Sequence, residues 1–261
     1  MTTFVEIQGE NLAVNVYGAD NSGGDVVLVH GFTGSKEDFE DVGPLLAAKG
    51  YRVLTFDNRG QHESVHSTRE DAYVIHSLAR DVIELAKHYG FTKPHLLGHS
   101  FGGLVSQRAV VDAPDYFASL TLFCSGPHWI PNKPDLDATI EIVSSMSMKE
   151  SWDKYRDGTE KLRPRYETYK KRWTASDPRS TRTMALHLKN AESLVEQISK
   201  LDIPVHVVYG ENDDAWPLEM QDQMAKDLGA PVTVIKEAGH CPNEDTPEET
   251  VEVLDTFWRS L

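Results

Sequence analysis

The chain has 261 residues, 39% hydrophobic and 26% charged, which allows a sizeable core in a single α/β sheet with insertions. A formal net charge of −15 opposes binding to a phosphate backbone, so nucleic acid is not expected as a partner. No apolar run approaches the ~18 residues that span a bilayer, and Met1–Glu6 lacks the basic and apolar regions of a signal peptide, so no membrane association is expected.

Taken in order, Phe4–Ile7 and Leu12–Tyr17 alternate apolar and polar residues around Gly9-Glu10-Asn11, the pattern of a hairpin. Val26–Val29 is a continuous apolar run, as in a strand buried on both faces of a parallel sheet, and it leads into His30-Gly31-Phe32-Thr33-Gly34-Ser35. Ser35 is placed to cap a helix running to about Lys49, where Gly50 stops it. Tyr51–Phe56 is the next strand. From Val74 onward, Ile75, Leu78, Val82, Leu85, Ala86 and Tyr89 recur on one helical face, and Gly90 closes that helix.

The apolar run Pro94–Leu97 then meets Gly98-His99-Ser100-Phe101-Gly102, and a helical pattern follows at once in Leu104, Val105, Ala109 and Val110. Strand, Gly-x-Ser-x-Gly and helix together make a nucleophile elbow, whose tight turn strains Ser100 and needs glycine two residues to either side. Ser119–Cys124 is another buried strand, and the alternation of strands and helices predicts a doubly wound, mostly parallel sheet.

That rhythm breaks after Gly126. Helical segments Ala138–Met148, Ser151–Arg156, Pro164–Trp173 and Thr181–Lys200 follow, with Asp177-Pro178 reading as an N-cap and first helical residue. Residues 127–200 carry 14 Lys/Arg against 11 Asp/Glu, whereas the rest of the chain carries 12 against 30. Aromatic residues from Trp129 to Trp173 give this stretch material to pack. It reads as a helical lid (127–200) inserted into a core domain of residues 1–126 and 201–261.

The sheet resumes at Pro204–Tyr209, followed by Gly210-Glu211-Asn212-Asp213-Asp214; a helix at Glu219–Leu228 leads to the strand Val232–Ile235 and to Ala238-Gly239-His240. Thr246-Pro247-Glu248-Glu249 reads as a capping box opening the last helix.

Serine is a weak nucleophile at its own pKa and needs a histidine to take its proton and a buried acid to orient that histidine. His240 and Asp213 follow consecutive strands, so both fall at the sheet edge that carries Ser100. Asp214 is the neighbouring rival to Asp213, which loop spacing favours. With these residues in order, the chain resembles the α/β-hydrolase superfamily along nearly its whole length. The likeness is to the serine-nucleophile branch of esterases and cofactor-free haloperoxidases with a helical cap. The resemblance implies an eight-stranded sheet of that kind and, through His30-Gly31-Phe32, an oxyanion hole of the Phe32 and Phe101 backbone amides. Gly210–Asp213 with Pro217 resembles the family's acid loop, and Gly239-His240 with Asp245 and Pro247 its histidine loop. Two departures stand out. Arg59-Gly60-Gln61-His62-Glu63-Ser64 puts histidine where the family usually has glycine, which calls for positive φ at His62 or another loop path. Asp245 stands where glutamate is more usual.

Other signals have plainer readings. His62-Glu63-Ser64-Val65-His66 spells the zinc-protease pattern, which requires a helix, yet it follows a strand and Gly60 and reads as a chance match. His95 and His99 share that spacing on a strand and turn. Cys124 and Cys241 are too few for a disulfide framework and suggest a reducing, cytoplasmic setting; each reads as a small apolar residue. His128 and Trp129, where the lid leaves the sheet, are candidates for substrate contact or lid packing, and Lys161–Arg172 reads as a solvated basic face. With no dinucleotide fingerprint, neither cofactor nor metal is expected.

The expected function is a serine hydrolase acting on a carboxylic ester of a small or medium organic molecule, with Ser100 as nucleophile, His240 as base and Asp213 as its orienting acid. Dehalogenases and epoxide hydrolases of similar length use aspartate where Ser100 stands. A C–C hydrolase, a perhydrolase, or a ligand receptor with negligible turnover keeps the same three residues. Oligomeric state and substrate identity are not legible.

Overall fold

The computed structural model describes residues 2–128, 134–161 and 164–261. Eight strands form one sheet in the order β1-β2-β4-β3-β5-β6-β7-β8. β1 (Thr3–Ile7) and β2 (Glu10–Tyr17) pair antiparallel, β2 pairs antiparallel with β4 (Arg52–Phe56), and every other neighbouring pair is parallel. The hairpin turn is shorter than the Gly9–Asn11 loop the sequence suggests: Gln8 and Gly9 both take positive φ (55° and 78°), which suits a two-residue turn, and Glu10 and Asn11 join the strand.

The central strands β3 (Asp25–Val29), β5 (His95–His99) and β6 (Ser119–Phe123) are buried almost throughout. Side chains alternate across the sheet, so Val26 and Leu28 pack with Leu97, Leu46 and Trp258 on one face. Val27 and Val29 pack with Leu96, Leu78 and Leu104 on the other. Complete burial of each such side chain contributes roughly 1.5–3 kcal/mol.

The helix expected from Ser35 to Lys49 is two pieces, a 3-10 turn over Lys36–Phe39 and α1 (Val42–Ala48). Pro44 is the reason: it has no amide to donate and its ring collides with the carbonyl four residues back, so it is tolerated only in a first turn. α2 (Ile75–His88) ends at Gly90 (φ 64°), where the amides of Gly90 and Phe91 close on the Lys87 and Ala86 carbonyls, each at 2.9 Å. α3 (Phe101–Asp112) follows β5 directly.

Between β6 and β7 (Val205–Gly210) the described chain is helical: α4 (Pro134–Ser145), α5 (Met148–Ser151), a π turn over Trp152–Arg156, α6 (Asp157–Glu160), α7 (Tyr166–Ala175), α8 (Pro178–Asn190) and α9 (Val195–Ile198). Asp177 caps α8 as expected, accepting from the Arg179 amide at 2.9 Å with Pro178 in the first turn. The single helix expected over Thr181–Lys200 is broken. Asn190 turns back onto the Leu186 carbonyl (2.8 Å), and the Ser193 hydroxyl takes the Val195 amide (3.3 Å). Val143, Met148, Trp152, Tyr169 and Trp173 form a small core of their own. α7 and Arg165 just before it are tied to the sheet-bearing part by polar contacts: Arg172 to Asp38, Arg165 to Asp41, Lys171 Nζ to Glu63 Oε1 at 3.1 Å and Tyr169 Oη to Glu244 Oε2 at 2.8 Å.

The chain ends with α10 (Leu218–Leu228), β8 (Val232–Ile235), α11 (Pro242–Asp245) and α12 (Pro247–Arg259). The capping box expected at Thr246–Glu249 does not form. α11 occupies the Thr246 amide, which donates to the Pro242 carbonyl at 3.0 Å, so Glu249 has nothing there to accept, and the Thr246 hydroxyl is buried without a partner. No described helix is long and apolar enough to cross a membrane.

Candidate active site

From β3 the chain moves to β4 on one side, then returns to place β5 on the other, so the loops after β3 and β5 diverge at a topological switch point. His30 leaves one of these strands and Ser100 the other. Ser100 takes φ 55° and ψ −120°, a costly conformation for a residue with a side chain. Neighbours hold it there. Its amide donates to the Phe123 carbonyl (2.9 Å), and its own carbonyl accepts from Ser125 Oγ (2.8 Å) and the Gly103 amide (2.9 Å). A Cβ on Gly98 would collide with the Gly102 carbonyl, and one on Gly102 with the Val29 carbonyl, so the start of α3 packs against β3 and β5 only because both are glycine.

Phe101 opens α3, where backbone amides lack helical acceptors and the helix dipole favours negative charge. The facing loop is set by His30, which is fully buried and neutral because burial drives its pKa down. Its Nε2 accepts from the Asn58 amide (3.0 Å), which leaves Nδ1 to donate to the Gly31 carbonyl (2.9 Å). The Gly31 carbonyl and the Phe32 amide share one trans peptide and point in opposite directions. Anchoring the carbonyl on His30 therefore turns the amide the other way, and among the described residues the Phe32 amide has no protein acceptor.

Asp213 follows β7 with its side chain fully buried, whereas Asp214 is exposed. The Asp213 carboxylate accepts from His240 Nδ1 (2.8 Å), the Ala215 amide (2.9 Å) and Gln221 Nε2 (3.0 Å). Burial alone would raise its pKa, but the bonds and charge supplied chiefly by His240 outweigh that and hold the carboxyl below its usual range. A carboxylate can only accept, so the His240 proton sits on Nδ1 and its Nε2 is left to accept. Asp245 does have a use here, accepting the Gly239 amide at 2.8 Å.

Ser100, Asp213 and His240 thus leave the same edge of the sheet, but only Asp213 and His240 are joined. No hydrogen bond links Ser100 to His240 among the described residues. Such bonds are often long in unliganded enzymes and tighten on substrate binding.

One residue beside this pair has no signature in the sequence. His99 Nε2 donates to the His240 carbonyl at 2.8 Å, and the two rings lie 4.9 Å apart. Burial, then the neighbouring His240, pushes its pKa down to about 4, so it is a neutral donor. Gln221 is a second such residue: it lies eight positions beyond Asp213 on another element. Cys124 (φ 48°) is buried with its thiol pKa driven well up by burial and by Asp213, and burial pushes the Cys241 thiol to about 12, so neither is a thiolate at neutral pH. His128 is half-buried, its carbonyl accepting from Trp216 Nε1 at 3.3 Å; Trp129 lies outside the described residues.

The His62–His66 pattern lies in a loop. His62 does adopt positive φ (46°), its amide donating to Ser176 Oγ (3.1 Å), while the His66 ring turns to the Ala175 carbonyl (2.8 Å), away from any zinc-protease arrangement. Among the described residues, His99, Cys124 and His240 form one group with donor atoms within 4.8 Å of one another, and Glu37, His62 and Glu63 form another.

Comparison with known proteins gives a consistent result. The model of the family described as "Alpha/beta hydrolase family" matches residues 26–253. An uncharacterized hydrolase, YugF of Bacillus subtilis, is 26% identical over 262 residues, covering 89% of each chain. The karrikin insensitive 2 receptor IA of Petunia hybrida is 24% identical over 247 residues, covering 88% of each. Among solved structures, an esterase from Exiguobacterium antarcticum superposes with a TM-score of 0.83 at 23% identity, over 98% of this chain and 99% of its own.

Proposed function

The chain belongs to the alpha/beta hydrolase family, and from that premise we propose that it is a serine hydrolase cleaving a carboxylic ester of a small or medium organic molecule. The observation that carries this reading is the bond between the buried Asp213 and the half-buried His240, at the edge where strained Ser100 stands at the head of α3. Ser100 Oγ attacks the ester carbonyl as His240 Nε2 takes its proton, and Asp213 stabilises the imidazolium. The oxyanion is held by the Phe32 and Phe101 amides. Collapse expels the alcohol, protonated by His240; water then enters, His240 again acts as base, and the acid leaves. Each amide donor contributes about 3–4 kcal/mol to the transition state. Residues 127–200 act as the lid, choosing the ester by covering this edge.

A test is multiple-turnover hydrolysis of a p-nitrophenyl ester series of increasing acyl length. Many turnovers per chain support the proposal. The likeness to the karrikin receptor favours one second reading, a receptor with negligible turnover, and tight small-molecule binding without sustained hydrolysis would select it. A perhydrolase would be told apart by peracid formed when hydrogen peroxide is added to the same esters, and a C–C hydrolase by turnover of a diketone in place of the esters.

His99 acts here as a positioning residue, holding the loop that presents the His240 ring. His99→Phe keeps an aromatic ring but no donor and is expected to lower kcat about tenfold with little change in KM, the equivalent of one buried hydrogen bond. His99→Gln, which still donates, is expected to recover most of it. Equal kcat in both variants would show that the contact is only structural.

A further inference from the structure

Of the two clusters of metal-capable donors, the one around His240 belongs to the site above; the other touches none of its residues. We propose that Glu37, His62 and Glu63 bind one divalent transition-metal ion of the zinc class, separate from the hydrolytic centre. The first ground is the His62 side chain, only 2% exposed, which makes no hydrogen bond from either ring nitrogen among the described residues. Nδ1 is buried without a partner, and Nε2 faces Glu37 Oε2 at 3.6 Å, too long for a hydrogen bond. Glu37 Oε2 is likewise buried and unpartnered. Two opposed lone pairs at that separation fit ligands of one tetrahedral ion, whose bonds of about 2.0–2.2 Å set neighbouring donors roughly 3.3–3.5 Å apart.

Charge is the second ground. Lys36 Nζ is fully buried among Glu37 Oε1 (2.8 Å), Asp57 Oδ2 (3.0 Å) and Glu63 Oε2 (2.8 Å); burial lifts the Asp57 carboxyl pKa to about 7, so the standing negative charge lies on Glu37 and Glu63. Lys171, reaching from α7 to Glu63 Oε1, covers part of the remainder, but its side chain is 65% exposed and free to withdraw. When it does, the Glu37 and Glu63 carboxylates are left facing Lys36 alone, and Glu63 is open to serve as the third donor. One imidazole with two carboxylates suits zinc better than magnesium or calcium, which prefer oxygen alone. The loop is preset, with the Glu63 amide on Asp57 Oδ2 (3.1 Å). Binding would release α7 from one of its ties to the sheet-bearing part.

The test is calorimetric titration of chelator-stripped full-length protein with Zn2+ alone, followed by thermal denaturation. One ion per chain, with Tm rising as it binds, is the expected result. His62→Gln and Glu37→Gln should each weaken uptake roughly tenfold or more. Lys171→Ala, a surface change that leaves folding intact, should tighten it severalfold by removing a competitor. The proposal is overturned by absence of stoichiometric uptake at millimolar Zn2+, by uptake unchanged in His62→Gln, or by uptake lost in Cys124→Ser, which would place the ion beside His240.

Discussion

Ser100→Ala is expected to lower kcat for p-nitrophenyl ester hydrolysis by about 10⁶-fold, the scale seen when the nucleophile of a serine triad is removed, with substrate binding largely preserved. Residual rate above the uncatalysed reaction should survive, because the Phe32 and Phe101 amides remain. The backbone adds a second arm. Alanine at φ 55° is as strained as serine, so Ser100→Ala should leave Tm nearly unchanged. Glycine has no such penalty, so Ser100→Gly should be equally inactive and more stable by about 1 kcal/mol, since strain of ~1–3 kcal/mol is relieved against glycine's entropy cost. Residual activity within tenfold of wild type in either variant would remove Ser100 from the mechanism.

Asp213→Asn is expected to cost about 10⁴-fold in kcat. The carboxylate accepts hydrogen bonds from His240, Ala215 and Gln221, and a side-chain amide cannot accept from all three. Where asparagine offers its NH₂ to His240, the ring proton moves to Nε2, the atom that must accept from Ser100. Asp214→Asn, on an exposed side chain, should leave kcat unchanged, and the contrast separates the two candidates. Stability gives a further readout with a definite sign. The Asp213 carboxyl is held below its usual value, so its contribution is fully present above about pH 3.9 and is lost as pH falls through the lower folded value. Denaturant midpoints across that acid range should lose this component in Asp213→Asn.

Legibility in the sequence tracked the range over which a signal acts. The elbow, the Asp177-Pro178 cap and the β8 run are each encoded within a few residues, and the structure places them as read. Pro44 breaks the stretch that the Ser35 cap and the Gly50 stop bracket as one helix, and Asn190 and Ser193 cut the one read over Thr181–Lys200. Thr246 failed because a capping box presumes a free amide, and a short helical turn just before it had taken that amide. The His99–His240 contact spans 141 positions and the Arg172–Asp38 pair 134. Such pairs arise from sheet order and helix docking and leave no local pattern to read. His62 shows the same limit: its positive φ could be anticipated, but not that Glu37 would face its ring.

Every loop discussed as chemistry leaves the carboxyl ends of the parallel strands, and the turns at Gly90–Pro94, Ala113–Ala118 and Gly229–Pro231 lie at the amino ends. Linking the protein to a bead, an electrode or a fusion partner through those turns would leave the reactive rim facing the bulk solution. If the helices between β6 and β7 act as the proposed lid, an attachment there would instead bury the entrance against its support.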